Sequence, residues 1–199
     1  MINLEPQKNP TQNPRRSLRV AVGDTQAPEK MGSFLADLLF ELNPTGRRPC
    51  VLLSIGTDRS TGDSLGPLVG SRVCELAPGL IPVFGTLEEP VHAVNLKEKL
   101  LEIKRGFPNQ PLIIAVDACL GQLQSVGTIT LGTGSLQPGT GVNKQLPPVG
   151  DIFVSGVVNI GGFLEFLVLQ NTRLALVMKM ADCIARGLVI GLSALRGPR

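Results

Sequence analysis

Two stretches of the chain, CVLLSIG (50–56) and PLIIAVDA (111–118), are apolar almost without a break before they run into a glycine or an acid. A strand with one face in water alternates apolar and polar residues, whereas a strand buried on both faces does not. Runs of this kind therefore ask for a sheet that is covered on both sides. Helical patterns lie between them, in SLGPLVGSRVCEL (64–76) and NLKEKLLEIKRGF (95–107). Strand, helix, strand is the order that builds parallel sheets through right-handed crossovers. The expected fold is an α/β three-layer sandwich around a largely parallel central sheet, with the 50–55 and 111–117 strands as close, parallel neighbours. LIPVFG (80–85), VGTITLG (126–132) and DIFVSGVV (151–158) are the other strand candidates. SFLADLLFEL (33–42), with Ser33 as N-cap, GGFLEFLVLQ (161–170) and residues 172–195 are the other expected helices. Pro67 is compatible with the 64–76 helix because it falls in the first turn.

Residues 1–30, with Pro6, Pro10, Pro14 and Pro28 and little periodicity, read as a flexible N-terminal arm. Residues 31–199 read as a single domain. The chain of 199 residues is 43% hydrophobic and 18% charged, values of a globular domain, and its lack of Trp and Tyr demands an aliphatic core. The net charge of +3 owes much to Arg15, Arg16, Arg19, Arg196 and Arg199 near the two ends, which makes no nucleic-acid face. The apolar run 174–195 is interrupted by Lys179, Asp182 and Arg186, spaced along one side of a helix, which argues against a membrane span. Cys50, Cys74, Cys119 and Cys183 lie far apart with no C-x-x-C pair, so reduced thiols in a cytoplasmic setting are expected, and no disulfide. Residues 1–30 lack the apolar core of a signal peptide.

The segment GTDRSTGDSLGPLVG (56–70) concentrates turn chemistry and acid at the end of a strand. In parallel α/β sheets ligands bind beyond the carboxyl ends of the strands. Two strands deliver acids there: Asp58 and Asp63 follow one, and Asp117 ends another. A close carboxylate pair shares one proton, leaving one acid protonated and the other free to activate water. A structural role competes on even terms, since Asp63 is also a good N-cap for the helix behind it. A phosphate cradle is disfavoured, because the loop lacks the lysine of a G-x-x-x-x-G-K-[ST] motif. His92, the sole histidine, sits in EEPVHAVNL, either as a site residue or as a surface or capping group. A Cys119–His92 nucleophile has no visible orienting partner. The turn-rich loop 132–150 is long enough to suggest a functional role.

These strings resemble known families. GTDRSTGDSLGP resembles the G-x-G-N…T-P-D-A-L-G-P turn of the spore germination protease family, LIIAVDA its second acidic strand, and PGTGVNK its P-G-S-G-V-G-N-K loop. GTLEEPVHAVNL, VDACLGQ, PGTGVNKQLPPVGD and VLQNTRLALVMKMA resemble the sporulation protein YyaC family over nearly the whole chain after residue 30. The resemblance implies the fold shared by germination protease and hydrogenase maturation endopeptidases, and an atypical aspartic peptidase of sporulating cells. It places the catalytic aspartates at Asp63 and Asp117 and substrate contacts at Asn143 and Lys144; His92 is a further candidate substrate contact, and Asp58 reads as a turn residue or one that supports the site from behind. The PGTGVNK loop is one residue shorter than the germination protease pattern. The resemblance implies no cofactor. The alternative, drawn from the hydrogenase maturation peptidases, is a divalent metal at Asp63 and Asp117, although no histidine follows residue 92 to complete that ligand set. A third reading is a catalytically silent peptide-binding protein. The expected partner is a protein or peptide, with no nucleic acid and no membrane, and a homo-oligomer is compatible with the sequence.

Overall fold

The computed structural model describes residues 16–138 and 146–195. Among these residues one six-stranded sheet has the order β1-β5-β6-β4-β2-β3, formed by β1 (Ser17–Ala21), β2 (Cys50–Ser54), β3 (Val83–Phe84), β4 (Leu112–Gly121), β5 (Thr128–Thr133) and β6 (Ile152–Ile160). β3, β2, β4 and β6 are mutually parallel, while β5 runs antiparallel to both β6 and β1. The expected pairing holds: Cys50 to Ser54 of β2 lie beside Leu112 to Val116 of β4, in parallel. The two strands that constrain the fold most from sequence are both interior to the sheet, β2 lying beside its short edge strand β3.

Each central strand serves two cores. Leu52 of β2 and Leu112, Ile114 and Val116 of β4 face one side, where they pack with helices α1 (Ala27–Leu42), α2 (Leu65–Leu76) and α5 (Leu174–Ala194). Val51 and Leu53 of β2 and Ala115 of β4 face the other, against Leu96 and Ile103 of α3 (Leu96–Gly106) and against Leu136, Leu146 and Val149 from the loop before β6. This two-sided burial is the three-layer α/β arrangement, and it explains why neither strand alternates. The side chains of Leu52, Leu53, Leu112 and Ile114 are fully buried, each worth about 1.5–3 kcal/mol relative to exposure. α1 and α5 approach closely over a glycine seam: a Cβ added at Gly191 would lie 2.8 Å from Leu35 Cβ and from the Gly32 carbonyl oxygen.

The N-terminal boundary differs from the sequence reading. β1 and the first turn of α1 both precede residue 31, so the part of the expected arm from residue 16 onward belongs to the fold; residues 1–15 lie outside the described residues. Asp24, rather than Ser33, organises the start of α1. Its Oδ1 accepts the Gln26 N–H at 2.9 Å, its carbonyl accepts the Ala27 N–H at 3.0 Å, and its Oδ2 pairs with Lys30 Nζ at 2.7 Å. Pro28, counted from sequence among the prolines of the arm, falls in the first turn of α1, where a helix accepts it. The polar stripe expected on the last helix is present: Asp182 pairs with Arg186 at 2.7 Å and with Arg72 of α2 at 3.1 Å. No helix among the described residues is long and apolar enough to cross a membrane.

Candidate active site

The loop after β2 is built around Gly56. Ile55 closes onto β4 by donating its N–H to the Val116 carbonyl at 2.7 Å, and Gly56 then donates to the Val91 carbonyl at 2.8 Å. Gly56 has φ 144°, and the backbone of Asp63 and Pro67 Cδ lie directly against the space that a side chain would need. Only glycine meets both demands. Thr57 donates its N–H to the Asp63 carbonyl at 3.1 Å, which closes a loop of residues 57–63. Within it Arg59 N–H bonds Thr57 Oγ1 at 3.3 Å, and Asp58 is exposed beside Thr57 Oγ1, as a turn residue. Asp63 then lies in a 3-10 turn (Gly62–Ser64) that leads into α2.

That turn bears on the competing roles of Asp63. The first residues of α2 carry no side-chain cap bond, from Ser64 or from the turn before it. The Asp63 carboxyl lines a cleft instead. Burial holds its pKa above the ordinary carboxylate value, against the opposing pull of the Thr57 N–H and the charge of His92. A carboxyl in this setting keeps its proton to higher pH than an exposed aspartate.

His92 reaches the same cleft from the segment before α3. Asn95 folds that segment on itself: its Oδ1 accepts the His92 N–H at 2.8 Å and its Nδ2 donates to the Pro90 carbonyl at 3.0 Å. Val94 N–H donates to His92 Nδ1 at 3.3 Å, so a neutral imidazole carries its proton on Nε2. The cleft has a volume of about 240 Å³. Thr57, Arg59, Ser60, Asp63 and His92 are its polar lining. Ala93, Val94 and two residues of α4 (Glu165–Gln170), Phe166 and Leu169, are its apolar lining.

Asp117 stands one residue beyond Val116 on β4, where β4 still pairs with β6 at Ser155. It is 6% exposed, and its Oδ1 accepts the Ala118 N–H at 2.8 Å. The 3-10 turn carrying Asp63 packs against β4, but β4 runs on to Gly121, so Asp117 lies within the strand rather than at its end, and it is not among the residues lining the Asp63 cleft. Two positions along, Cys119 accepts a hydrogen bond from Ser155 Oγ at 3.1 Å, and burial pushes its thiol pKa up, which does not suit a nucleophile. All four cysteines are free thiols. Asn143 and Lys144 lie outside the described residues.

A protein-held divalent ion needs several clustered donors. Among the described residues no three His, Cys, Asp or Glu side chains come together in such a group.

Sequence reasoning named Asp63, Asp117 and His92 but missed the cleft that joins the first to the third. It also missed the α4 wall, for which it had no signal: Phe166 lies about a hundred positions from Asp63 in the chain. Ser60 and Arg59 were in view within the quoted turn, without a role.

A family model described as "Protein of unknown function (DUF1256)" matches residues 19–187. The chain belongs to the DUF1256 family. The match starts inside β1, which agrees with β1 being part of the domain. A relative from Bacillus subtilis (strain 168), "Uncharacterized protein YyaC", is 50% identical over 165 residues, covering 83% of this chain and 78% of that protein. A solved structure, the nickel–iron hydrogenase maturation protease HycI from Thermococcus kodakarensis KOD1, is similar with 19% identity and a TM-score of 0.49, over 80% of this chain and 97% of that one.

Proposed function

We propose that this DUF1256 protein is a peptidase of the germination protease type, acting on a protein or peptide in the cytoplasm of a sporulating cell, with Asp63 and Asp117 as its catalytic pair. The observation that carries the reading is a pair of aspartates brought to neighbouring parallel strands: Asp117, buried on β4, and Asp63, half-buried in the turn that packs against β4 and lining a cleft. In this reading Asp63, whose hold on a proton burial strengthens, carries the pair's shared proton, donates a hydrogen bond to the scissile carbonyl and steadies its developing negative charge. Asp117 takes a proton from the attacking water and passes it to the leaving amine. His92 contacts substrate from the cleft wall, and Asn143 and Lys144 are further substrate contacts.

The test is cleavage of a mixed library of unmodified decapeptides, read by mass spectrometry with and without a chelator. Cleavage that survives the chelator and falls at least about 100-fold in both Asp63→Asn and Asp117→Asn, with the double variant little worse than either, supports the shared-proton pair. Full activity in Asp117→Asn overturns it. Activity abolished by the chelator replaces it with the metal-dependent reading, and intact peptide binding without cleavage replaces it with a silent binding protein.

A further inference from the structure

The cleft beside Asp63 has a polar and an apolar lining, and neither is satisfied by the protein itself. In the polar lining, the Ser60 hydroxyl is buried and has no hydrogen-bond partner among the described residues. Its side chain belongs to a residue only 8% exposed, and it lines the cleft. A buried hydroxyl left unmatched costs free energy that a bound hydrogen-bonding group would recover. The Arg59 guanidinium, in the same lining, makes no ion pair among the described residues. Of the apolar lining residues, Val94 is 79% exposed and Phe166 55% exposed. Phe163, Leu164 and Leu167, at the start of α4, are exposed as well. Large apolar side chains left exposed beside a cleft mark a binding surface.

Size decides what kind of ligand fits. At about 240 Å³ the cleft is smaller than the 300–1,000 Å³ typical of sites that enclose a drug-sized molecule. It takes one large side chain and the main chain on either side of it, not a folded module. An extended peptide matches both linings, since its main-chain amides are polar and one side chain can be apolar.

We propose that Val94, Phe166 and Leu169 form a subsite for a single large apolar side chain, leucine or phenylalanine, of an extended peptide whose main chain is held by Ser60 and Arg59. This rests on the peptide-substrate reading above and adds its specificity: the residue placed next to Asp63 is apolar and bulky, and α4 is the element that selects it. The partner's charge is secondary to this contact, and the bound segment is short.

Binding is measured separately from cleavage. The full-length Asp63→Asn variant, which cannot turn the peptide over under the proposed mechanism, is titrated with capped pentapeptides and followed by amide chemical-shift changes. The probes are acetyl-Ala-Ala-X-Ala-Ala-amide with X as Leu, Phe, Ala, Lys or Asp. The Leu and Phe peptides should bind at least about tenfold more tightly than the other three, the scale on which a pocket discriminates a few methylenes. Val94→Asp and Phe166→Asp should each remove that preference, and Ser60→Ala should weaken all five peptides alike. Phe40→Ser, which changes an apolar side chain 70% exposed on α1 and outside the cleft, should leave binding unchanged. Equal affinity for all five peptides, or a preference that survives Phe166→Asp, overturns the subsite. So does light scattering that shows the unliganded protein to be a dimer dissociated by Phe166→Asp, because α4 would then face a second copy. Apolar preference with no peptide cleaved by the unmodified protein would sink the peptidase reading and leave this subsite standing.

Discussion

Replacing Gly66 with alanine adds one methyl group where the first turn of α2 crosses the end of β2. A Cβ there would sit 2.7 Å from the carbonyl carbon and from the amide nitrogen of Ile55, and closer still to its carbonyl oxygen. Those atoms would have to retreat by about 0.7 Å or more to reach the 3.4 Å of ordinary contact. They have little room to do so. Ile55 is tied on one side to β4 through the Val116 carbonyl and on the other, through the Ile55–Val91 bridge, to the segment carrying His92. Gly66 has no positive φ, so the cost is steric and separable from backbone strain. Overpacking against backbone that cannot yield lies at the upper end of the usual range, about 3 kcal/mol. In a domain of this size that is a fall in Tm of about 6–12 °C. The assay is thermal unfolding followed by circular dichroism, with Gly106→Ala as control. Gly106 is the last residue of α3, has nothing within 4 Å of its missing Cβ, and should tolerate alanine with no loss. A Gly66→Ala protein melting within about 2 °C of the unmodified one would refute the argument that this crossing is held by backbone contact. Because Asp63 lies one turn upstream, the same variant should lose peptide binding before it loses its fold.

Asp63→Asn tests the burial of the carboxyl through stability. With the folded pKa raised above 3.8, the native state binds the proton more tightly than the unfolded chain, so the contribution of Asp63 to stability is greatest below pH 3.8 and is lost as pH rises through the raised value. The Asn variant should therefore gain on the unmodified protein between acid and neutral pH in urea titrations; a constant gap would contradict it. Asp151→Ala should cost about 1–2 kcal/mol in the same measurement, since its carboxylate accepts Arg48 at 3.2 Å and the Ile113 N–H at 2.9 Å; no change in urea midpoint would show that the Arg48 clamp is not stabilising. Cys183, buried and with its pKa pushed up to about 11, should resist alkylation at pH 8 in the folded protein, while exposed Cys74 reacts first; equal rates by mass spectrometry would count against the packing of α5.

What could be read from the chain alone was whatever a local run of residues dictates. CVLLSIG and PLIIAVDA are apolar almost throughout, and that requires cover on both faces of the sheet. The turn 56–63 carried its glycine and its acids in plain view, because a tight turn and its ligands are neighbours in sequence. β1 and the true start of α1 were hidden. β1 is a short edge strand whose partner, β5, lies about a hundred residues away, and Pro28 reads as one of the arm's prolines until Asp24 is seen to hold the turn before it. The same separation hid the cleft. Asp63, His92 and Phe166 come from a turn after β2, a loop before α3 and a short helix after β6, and nothing periodic links them. Their meeting depends on the order β6-β4-β2, on the bridge from Ile55 to Val91, and on α4 packing against the Asp63 turn. Those are long-range contacts, stabilised only once the sheet has closed, so only the tertiary structure could decide which wall faces Asp63.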